Sequence, residues 1–130
     1  MRGQWSTGKR DQIIQETAVQ DRAVYGHVTI WVEQEPGSSG KDSVDAISRK
    51  LEGFAVRADK VTGDKLVRAE PFAAACEAGR VYLVKMASWV TGFIDELTSV
   101  PNGAHDDQMD GASGAYNQSV KYTGSLVDFV

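Results

Sequence analysis

Three carboxylates lie close together near the C-terminal end of the sequence, in the run His105-Asp106-Asp107-Gln108-Met109-Asp110. Asp106 or Asp107 can cap the helix predicted to start there and favour its positive end, but capping needs only one aspartate. Asp110 follows at helical spacing, so the carboxylates can share one helix face. Because no compensating cation stands in this run, we expect mutual repulsion that a divalent ion would relieve. Carboxylate oxygens suit Mg²⁺ or Mn²⁺, and the surplus aspartates therefore favour a metal site.

Glu33 is a second candidate, because it ends a hydrophobic stretch that is typical of a strand. Sheets of α/β proteins place their active sites at the carboxyl ends of strands. Taken alone, however, Glu33 is more simply interpreted as an exposed polar residue that closes a strand, and Glu35 as a loop residue. Lys65 and Arg68 lie at helical spacing. They are interpreted by default as a solvated face, and alternatively as contacts to nucleic-acid phosphates.

Residues 37–43 (GSSGKDS) follow a predicted strand and precede a predicted helix, as a phosphate-binding P-loop does. Two residues rather than four separate the glycines, however, and Asp42 stands where a hydroxyl residue is required. The sequence thus excludes a nucleoside triphosphatase and predicts a glycine-rich connection here. His27 and Cys76 belong to no recognisable motif, and a single cysteine excludes a disulfide framework and fits a reducing cytosol.

Hydrophobic periodicity predicts alternating helices and strands around these candidates. Pro71 is expected to divide the region around it into two short helices. Ser6 or Thr7 is a candidate cap for the first helix. Trp89, Phe93, Ile94 and Leu97 are the expected buried face of a later one. The predicted helices cover residues 9–21, 42–52, 64–69, about 71–79, 88–97 and 106–120, and the predicted strands cover residues 27–33, 54–57 and 80–85.

The chain has 130 residues and a formal net charge of -4, with 42% hydrophobic and 25% charged residues. This length fits one domain, and the composition excludes a disordered or fibrous chain and a wholly basic surface. No apolar run approaches the ~18 residues that span a membrane. The element order predicts an α/β sandwich around a largely parallel sheet. Three strands are few for that fold, so further strands are expected from a partner or from a larger domain.

Several segments in order resemble the C-terminal nuclease domain of the tailed-phage, or prophage, terminase large subunit. The resemblance covers roughly residues 4–118, and its most specific part is the pattern F-x-x-E-L … P-x-G-x-x-D-D-x-x-D near the C-terminus. The segments that carry it are residues 31–41 (WVEQEPGSSGK), 63–65 with Arg68, 70–72, 77–79, 93–97 (FIDEL), 101–103 (PNG) and 105–110 (HDDQMD).

The resemblance implies an RNase H-like nuclease fold, a mixed sheet flanked by helices, over residues 1–120, followed by a tail over residues 121–130. It implies cleavage of concatemeric viral DNA by two Mg²⁺ or Mn²⁺ ions held between three acidic positions. Glu33 matches the second position. Asp107, or its neighbour Asp106, matches the third, with Asp110 in support. The implied partners are double-stranded DNA, the small terminase subunit and the portal protein, in the cytoplasm of a bacterial host and without a membrane.

The sequence departs from the family pattern at its start, since it begins after the first antiparallel strands and the strand that bears the first catalytic aspartate. Asp11 and Asp21 fall in or beside a helix and are poor substitutes. We therefore expect an N-terminally truncated domain with little or no activity alone. The first aspartate could instead come from another polypeptide. A further alternative is a non-enzymatic module that associates through an exposed sheet edge.

Overall fold

A computed structural model describes residues 4–127, with the side chains of residues 4–121. It is a mixed α/β structure in two compact units that divide between Thr62 and Gly63. No helix in the part described is long and apolar enough to cross a membrane. The first unit contains α1 (Thr7–Tyr25), β1 (Thr29–Gln34), α2 (Ser38–Lys50) and β2 (Ala55–Lys60), and the second contains α3 (Lys65–Glu77), α4 (Val90–Ser99) and α5 (Asp107–Val127).

The two strands of the first unit run parallel, in a register that pairs Thr29 with Ala55 and Gln34 with Lys60. A parallel pair requires a crossover, and α2 supplies it and packs on β1. The register places apolar Ile30, Val32, Val56 and Ala58 on one face. The predicted strands at residues 27–33 and 54–57 are thus confirmed with shifted ends. The predicted Ser6 cap of α1 is also confirmed, because its hydroxyl oxygen accepts a hydrogen bond from the Lys9 amide at 3.4 Å.

The glycine-rich connection predicted after β1 is shorter than expected, because α2 begins at Ser38 rather than near residue 42. Gly40 makes this possible. It is buried, and a Cβ built on it would lie 2.0 Å from the backbone oxygen of Glu35. Without a side chain, Gly40 lets the first turn of α2 rest directly on the backbone of Glu35, the residue after β1, so that these residues form a helix instead of a loop.

The third predicted strand, over residues 80–85, is wrong, because this segment forms no strand. β-strands are stabilised by the ladder they form with a neighbour, and the described residues offer this segment none. Most of its apolar side chains face solvent, with Tyr82 87% and Val84 67% exposed. The β-branched and aromatic composition that predicted the strand is therefore not matched by burial.

The division of α3 at Pro71 is also wrong, because one helix runs from Lys65 to Glu77 with Pro71 inside it. Proline cannot donate to the carbonyl one turn earlier, which normally interrupts a helix. Here Ala69, Phe72 and Ala75 are buried on both sides of Pro71, and α3 packs extensively on α5. Packing of this shared face offsets the missing hydrogen bond. The Asp64 carboxylate caps the helix by accepting from the Leu66 amide at 2.7 Å.

Helices α4 and α5 complete the second unit and pack against each other. Phe93 is buried and stands edge-on to Trp89, with 5.9 Å between ring centroids. The prediction that Ile94 is buried is wrong, since it is 44% exposed. Helix α5 continues to Val127, seven residues beyond its predicted end at residue 120. The boundary of the nuclease domain at residue 120 stays a prediction, and residues 128–130 of its tail lie outside the described residues.

Candidate functional site

Asp106, Asp107 and Asp110 of the second unit lie at the N-terminal end of α5. The carbonyl of Asp106 accepts the first helical hydrogen bond from the Asp110 amide, so Asp106 is the N-cap and Asp107 the first helical residue. The Nζ of Lys65, on α3, lies 3.4 Å from a carboxylate oxygen of both Asp106 and Asp110. Arg68 donates to Asp110 at 3.3 Å. The expectation that no cation compensates these aspartates is therefore wrong, because α3 supplies two.

These ion pairs join α3 to α5 and fix the charge state of Lys65. Partial burial opposes its charge, but the Asp110 carboxylate and hydrogen bonds to Asp110 and Asp106 outweigh this and raise the pKa of Lys65. The same two helices are held by Asn117, whose amide donates to the Arg68 carbonyl at 2.9 Å, and by the tilted ring pair of Phe72 and Tyr116. Sequence spacing placed Lys65 and Arg68 on one face without showing that this face meets α5.

Asp107 differs from its two neighbours. Its side chain is exposed, and among the described side chains of residues 4–121 no ion pair or hydrogen bond engages its carboxylate. Asp110, by contrast, retains only 13% of its side-chain exposure and has two cationic partners. Of the three aspartates, Asp107 therefore has the carboxylate most available to an external ligand.

Glu96 of α4 supplies a contact to α5 that the residue pattern did not reveal. One of its carboxylate oxygens accepts from the backbone amides of Gln108 at 2.6 Å and Met109 at 3.2 Å. The other accepts from the side-chain amide of Gln108. These partners are 12 and 13 residues away, which follows no helical or strand period, so in the sequence this glutamate is marked only by the motif FIDEL. A cleft of about 340 Å³ adjoins the same turn and is lined in part by Lys65, His105, Asp106 and Met109.

Glu33, in the first unit, is exposed at the end of β1, as its position in the sequence predicts. The parallel register sets Asp59 of β2 directly opposite, so two carboxylates leave neighbouring strands on the same face. Asp59 was missed by the sequence argument, although an acidic residue near the end of each strand was the available signal. Glu33 also lines a cleft of about 660 Å³, together with Glu35, Arg10, Asp11 and Lys50.

Asp11 is the buried carboxylate of that cleft, and it lies in α1 as the sequence indicates. Hydrogen bonds from Lys50 and Arg10 lower its pKa and outweigh burial, which would raise it. Asp11 therefore binds the end of α2 to α1 as a charged group. Its two cationic partners leave it poorly suited to act as a metal ligand.

The donor chemistry of the two units suits Mg²⁺ or Mn²⁺, since Glu33 and Asp107 are exposed carboxylates and these ions prefer oxygen ligands. The number of metal-ligating side chains, however, is too small for a metal site. Within the part of the chain that is described, no group of three or more histidine, cysteine, aspartate or glutamate residues is placed to hold a metal ion.

Comparison with known proteins shows the family to which the chain belongs. The family model described as the terminase RNaseH-like domain matches residues 1–119. The chain is a member of the terminase RNaseH-like domain family, which confirms the family and the RNase H-like fold predicted from the sequence. No curated protein and no solved structure matches the chain.

Proposed function

We propose that this chain is part of the nuclease domain of a phage terminase large subunit, the domain that cuts concatemeric viral DNA during genome packaging, and that it has little or no activity alone. The observation that carries the proposal is the family match over residues 1–119. The exposed carboxylates of Glu33 and Asp107 support it, because metal-dependent phosphodiester cleavage depends on acidic side chains. The partners in this role are double-stranded DNA, the small terminase subunit and the portal protein, in the cytoplasm of a bacterial host.

In this proposal Glu33 and Asp107 are ligands of divalent ions, which would activate water and stabilise the leaving oxygen. The ion pairs of the second unit distinguish Asp107 from its neighbours. Asp106 and Asp110 are already neutralised by Lys65 and Arg68, so a metal ion would have to displace a cation from them. Asp107 requires no such exchange. We therefore place Asp106 and Asp110 in supporting roles, in which they hold α3 against α5.

Binding of Mn²⁺ to the full chain tests this assignment. Thermal unfolding with and without Mn²⁺ should show stabilisation of the wild type that is lost in Glu33→Ala and Asp107→Ala. Glu52→Ala is the matched control for Glu33→Ala, and Asp95→Ala is the matched control for Asp107→Ala. Each control removes an exposed carboxylate from the same unit as the variant that it matches, and each should retain the stabilisation. Equal stabilisation of Asp107→Ala and wild type would contradict the assignment.

A plasmid-nicking assay in Mn²⁺ with the same variants measures cleavage directly. The expectation from the sequence is weak or absent cleavage by this chain alone. Robust nicking that disappears in Glu33→Ala would show instead that the chain holds a complete site. Nicking that survives both substitutions would exclude these carboxylates from the reaction.

A non-enzymatic interaction module is the second candidate, and a specific feature favours it. In the part described, β1 and β2 pair only with each other, which leaves one edge of each strand without a ladder partner. Unpaired edges favour association with another chain. Size-exclusion chromatography with light scattering tests this candidate, and a monomer that persists at high concentration would argue against it.

A further inference from the structure

Residues 80–85 (RVYLVK) have the composition of a strand, because β-branched and aromatic side chains favour extended backbone. Within the described residues this segment has no ladder partner, and its apolar side chains Tyr82 and Val84 are largely exposed. Arg80 and Lys85 stand at its two ends and are exposed as well. Contiguous exposed apolar side chains mark an interaction surface, so this segment has the chemistry of a strand that pairs with another chain.

The first unit has the complementary feature, an unpaired strand edge beside a cleft with apolar side chains. In the part of the chain that is described, β1 pairs only with β2, so the N–H and C=O groups along its other edge have no ladder partner. The cleft of about 660 Å³ is lined by Val32 of β1, Ile14 of α1 and Ile47 of α2, and by no residue of β2. A strand bound along β1 would place alternate apolar side chains in this cleft.

Charge distinguishes this edge from the other edge of the sheet. β2 has exposed Arg57 and Lys60, and charged side chains of this kind would repel a segment that carries two cations. Glu33 and Glu35, at the end of β1, are exposed and line the cleft. The other charged side chains of the lining are bound to one another, and they are Arg10, Asp11 and Lys50. The charges therefore favour a basic strand at the edge of β1.

We propose that residues 80–85 of one copy of this chain bind as a strand along the free edge of β1 in a second copy. Backbone hydrogen bonds supply the pairing, and the cleft takes alternate apolar side chains. Because a cation stands at each end of the segment, either strand direction brings one of them to Glu33 and Glu35.

This contact is heterologous, since each copy contributes one segment and one edge. Such a contact either extends into a chain of copies or closes when two copies exchange segments. The inference does not depend on nuclease activity. It names the edge and the occupant for the association that the second candidate function requires.

Light scattering of the full chain, over concentrations up to about 1 mM, tests the association, because weak complexes are populated there. The mean mass of the wild type should rise above that of one chain, whereas the double variant Tyr82→Asp, Val84→Asp should stay a monomer. Val24→Asp combined with Tyr25→Asp is the matched control, because these residues are of the same types, are 72% and 74% exposed, and lie at the end of α1 outside the cleft.

The control should associate as the wild type does. A wild type that remains a monomer at about 1 mM would overturn the inference. Equal loss of association in the control and in the segment variant would overturn it too, because general surface hydrophobicity would then explain the complexes.

A synthetic peptide of residues 80–85 with blocked ends tests which edge is bound. In NMR spectra of the full chain it should shift and protect backbone amides of β1, and in light scattering it should dissociate the wild-type complexes. The same peptide with every backbone nitrogen methylated keeps all its side chains but cannot donate to a ladder, so it should bind about tenfold more weakly or worse. Equal binding of the two peptides, or protection confined to β2, would exclude strand pairing at β1.

Charge reversal tests the electrostatic part of the contact. The double variant Glu33→Lys, Glu35→Lys should bind the wild-type peptide about fivefold more weakly, since exposed ion pairs are replaced by repulsion. It should instead prefer a charge-reversed peptide that carries Arg80→Glu and Lys85→Glu.

Asp45→Lys combined with Glu52→Lys is the matched control, because both are exposed acids of the same unit outside the cleft. This control should keep the affinity for the wild-type peptide to within about twofold. Equal weakening in the control, or no preference of the Glu33 and Glu35 variant for the charge-reversed peptide, would overturn the assignment of this edge. All these measurements are made in EDTA, so their failure would reject the association and leave the proposed nuclease role to its own tests.

Discussion

Exchanging Asp110 for asparagine should lower the stability of the protein, whereas the same exchange at Asp107 should abolish its stabilisation by manganese. The two residues lie three positions apart in the first turn of α5 and differ in their surroundings. Asp110 is mostly buried between Lys65 and Arg68, while Asp107 is exposed. Each substitution removes one charge and keeps nearly the same side-chain volume, so the pair separates the two roles without creating a cavity.

The expected magnitudes follow from these contacts. A hydrogen bond to a charged group contributes about 1.5–3 kcal/mol, and an ion pair with a half-exposed lysine adds about 0.2–1 kcal/mol. Because asparagine keeps one acceptor oxygen for Arg68, Asp110→Asn should lower the free energy of unfolding by about 1–3 kcal/mol. Asp107 contributes only through the positive end of α5, so Asp107→Asn should cost less than about 1 kcal/mol.

Urea unfolding followed by circular dichroism, first in EDTA and then in Mn²⁺, measures both effects. A bound ion at 100 times its Kd raises the free energy of unfolding by about 2.7 kcal/mol. The wild type and Asp110→Asn should both show a gain of this kind, and Asp107→Asn should show none. Two results would refute the reasoning: equal destabilisation by both variants in EDTA, or loss of the manganese gain in Asp110→Asn but not in Asp107→Asn.

Two further predictions concern the first unit. The lowered pKa of Asp11 means that its stabilisation is present above the unfolded pKa and is lost as pH falls through the lower folded pKa. The stability difference between wild type and Asp11→Asn should therefore hold at neutral pH and shrink below about pH 4, as urea midpoints across pH would show. Gly40→Ala should destabilise by about 1–3 kcal/mol, because its Cβ would overlap the Glu35 carbonyl, whereas Gly8→Ala, with open space around it, should stabilise α1 by about 0.5–1 kcal/mol. Equal urea midpoints for the two alanine variants would contradict this prediction.

Local sequence patterns predicted the elements whose own residues decide their structure. Ser6 caps α1 as expected, and the apolar segments before Glu33 and after Gly53 form the paired strands. The failures at residues 80–85 and at Pro71 have a common physical cause. A strand needs a neighbour and a proline-containing helix needs a packed face, and both conditions are set by residues distant in sequence.

The candidate site, like the fold, could be predicted only where neighbouring residues decide it. Clustering along the chain identified Asp106, Asp107 and Asp110, because helical spacing is visible in the sequence. The cations that neutralise two of them come from Lys65 and Arg68, more than thirty residues earlier, and this pairing depends on the packing of α3 against α5. Glu96 reaches α5 for the same reason.

The pairing of Lys65 also bears on whether it contacts DNA. A lysine that neutralises a phosphate releases a condensed counterion, so its removal lowers the dependence of log K on log salt by about 0.9. Lys65 is already paired with Asp106 and Asp110. These pairs raise its pKa and neutralise its charge, so it is not a free cation. Lys65→Met should therefore change the salt dependence of duplex DNA binding, measured by fluorescence anisotropy without Mn²⁺, by much less than 0.9. A drop of about one would show that Lys65 leaves its carboxylates for the phosphate backbone, and that the ion pairs between α3 and α5 give way when DNA binds.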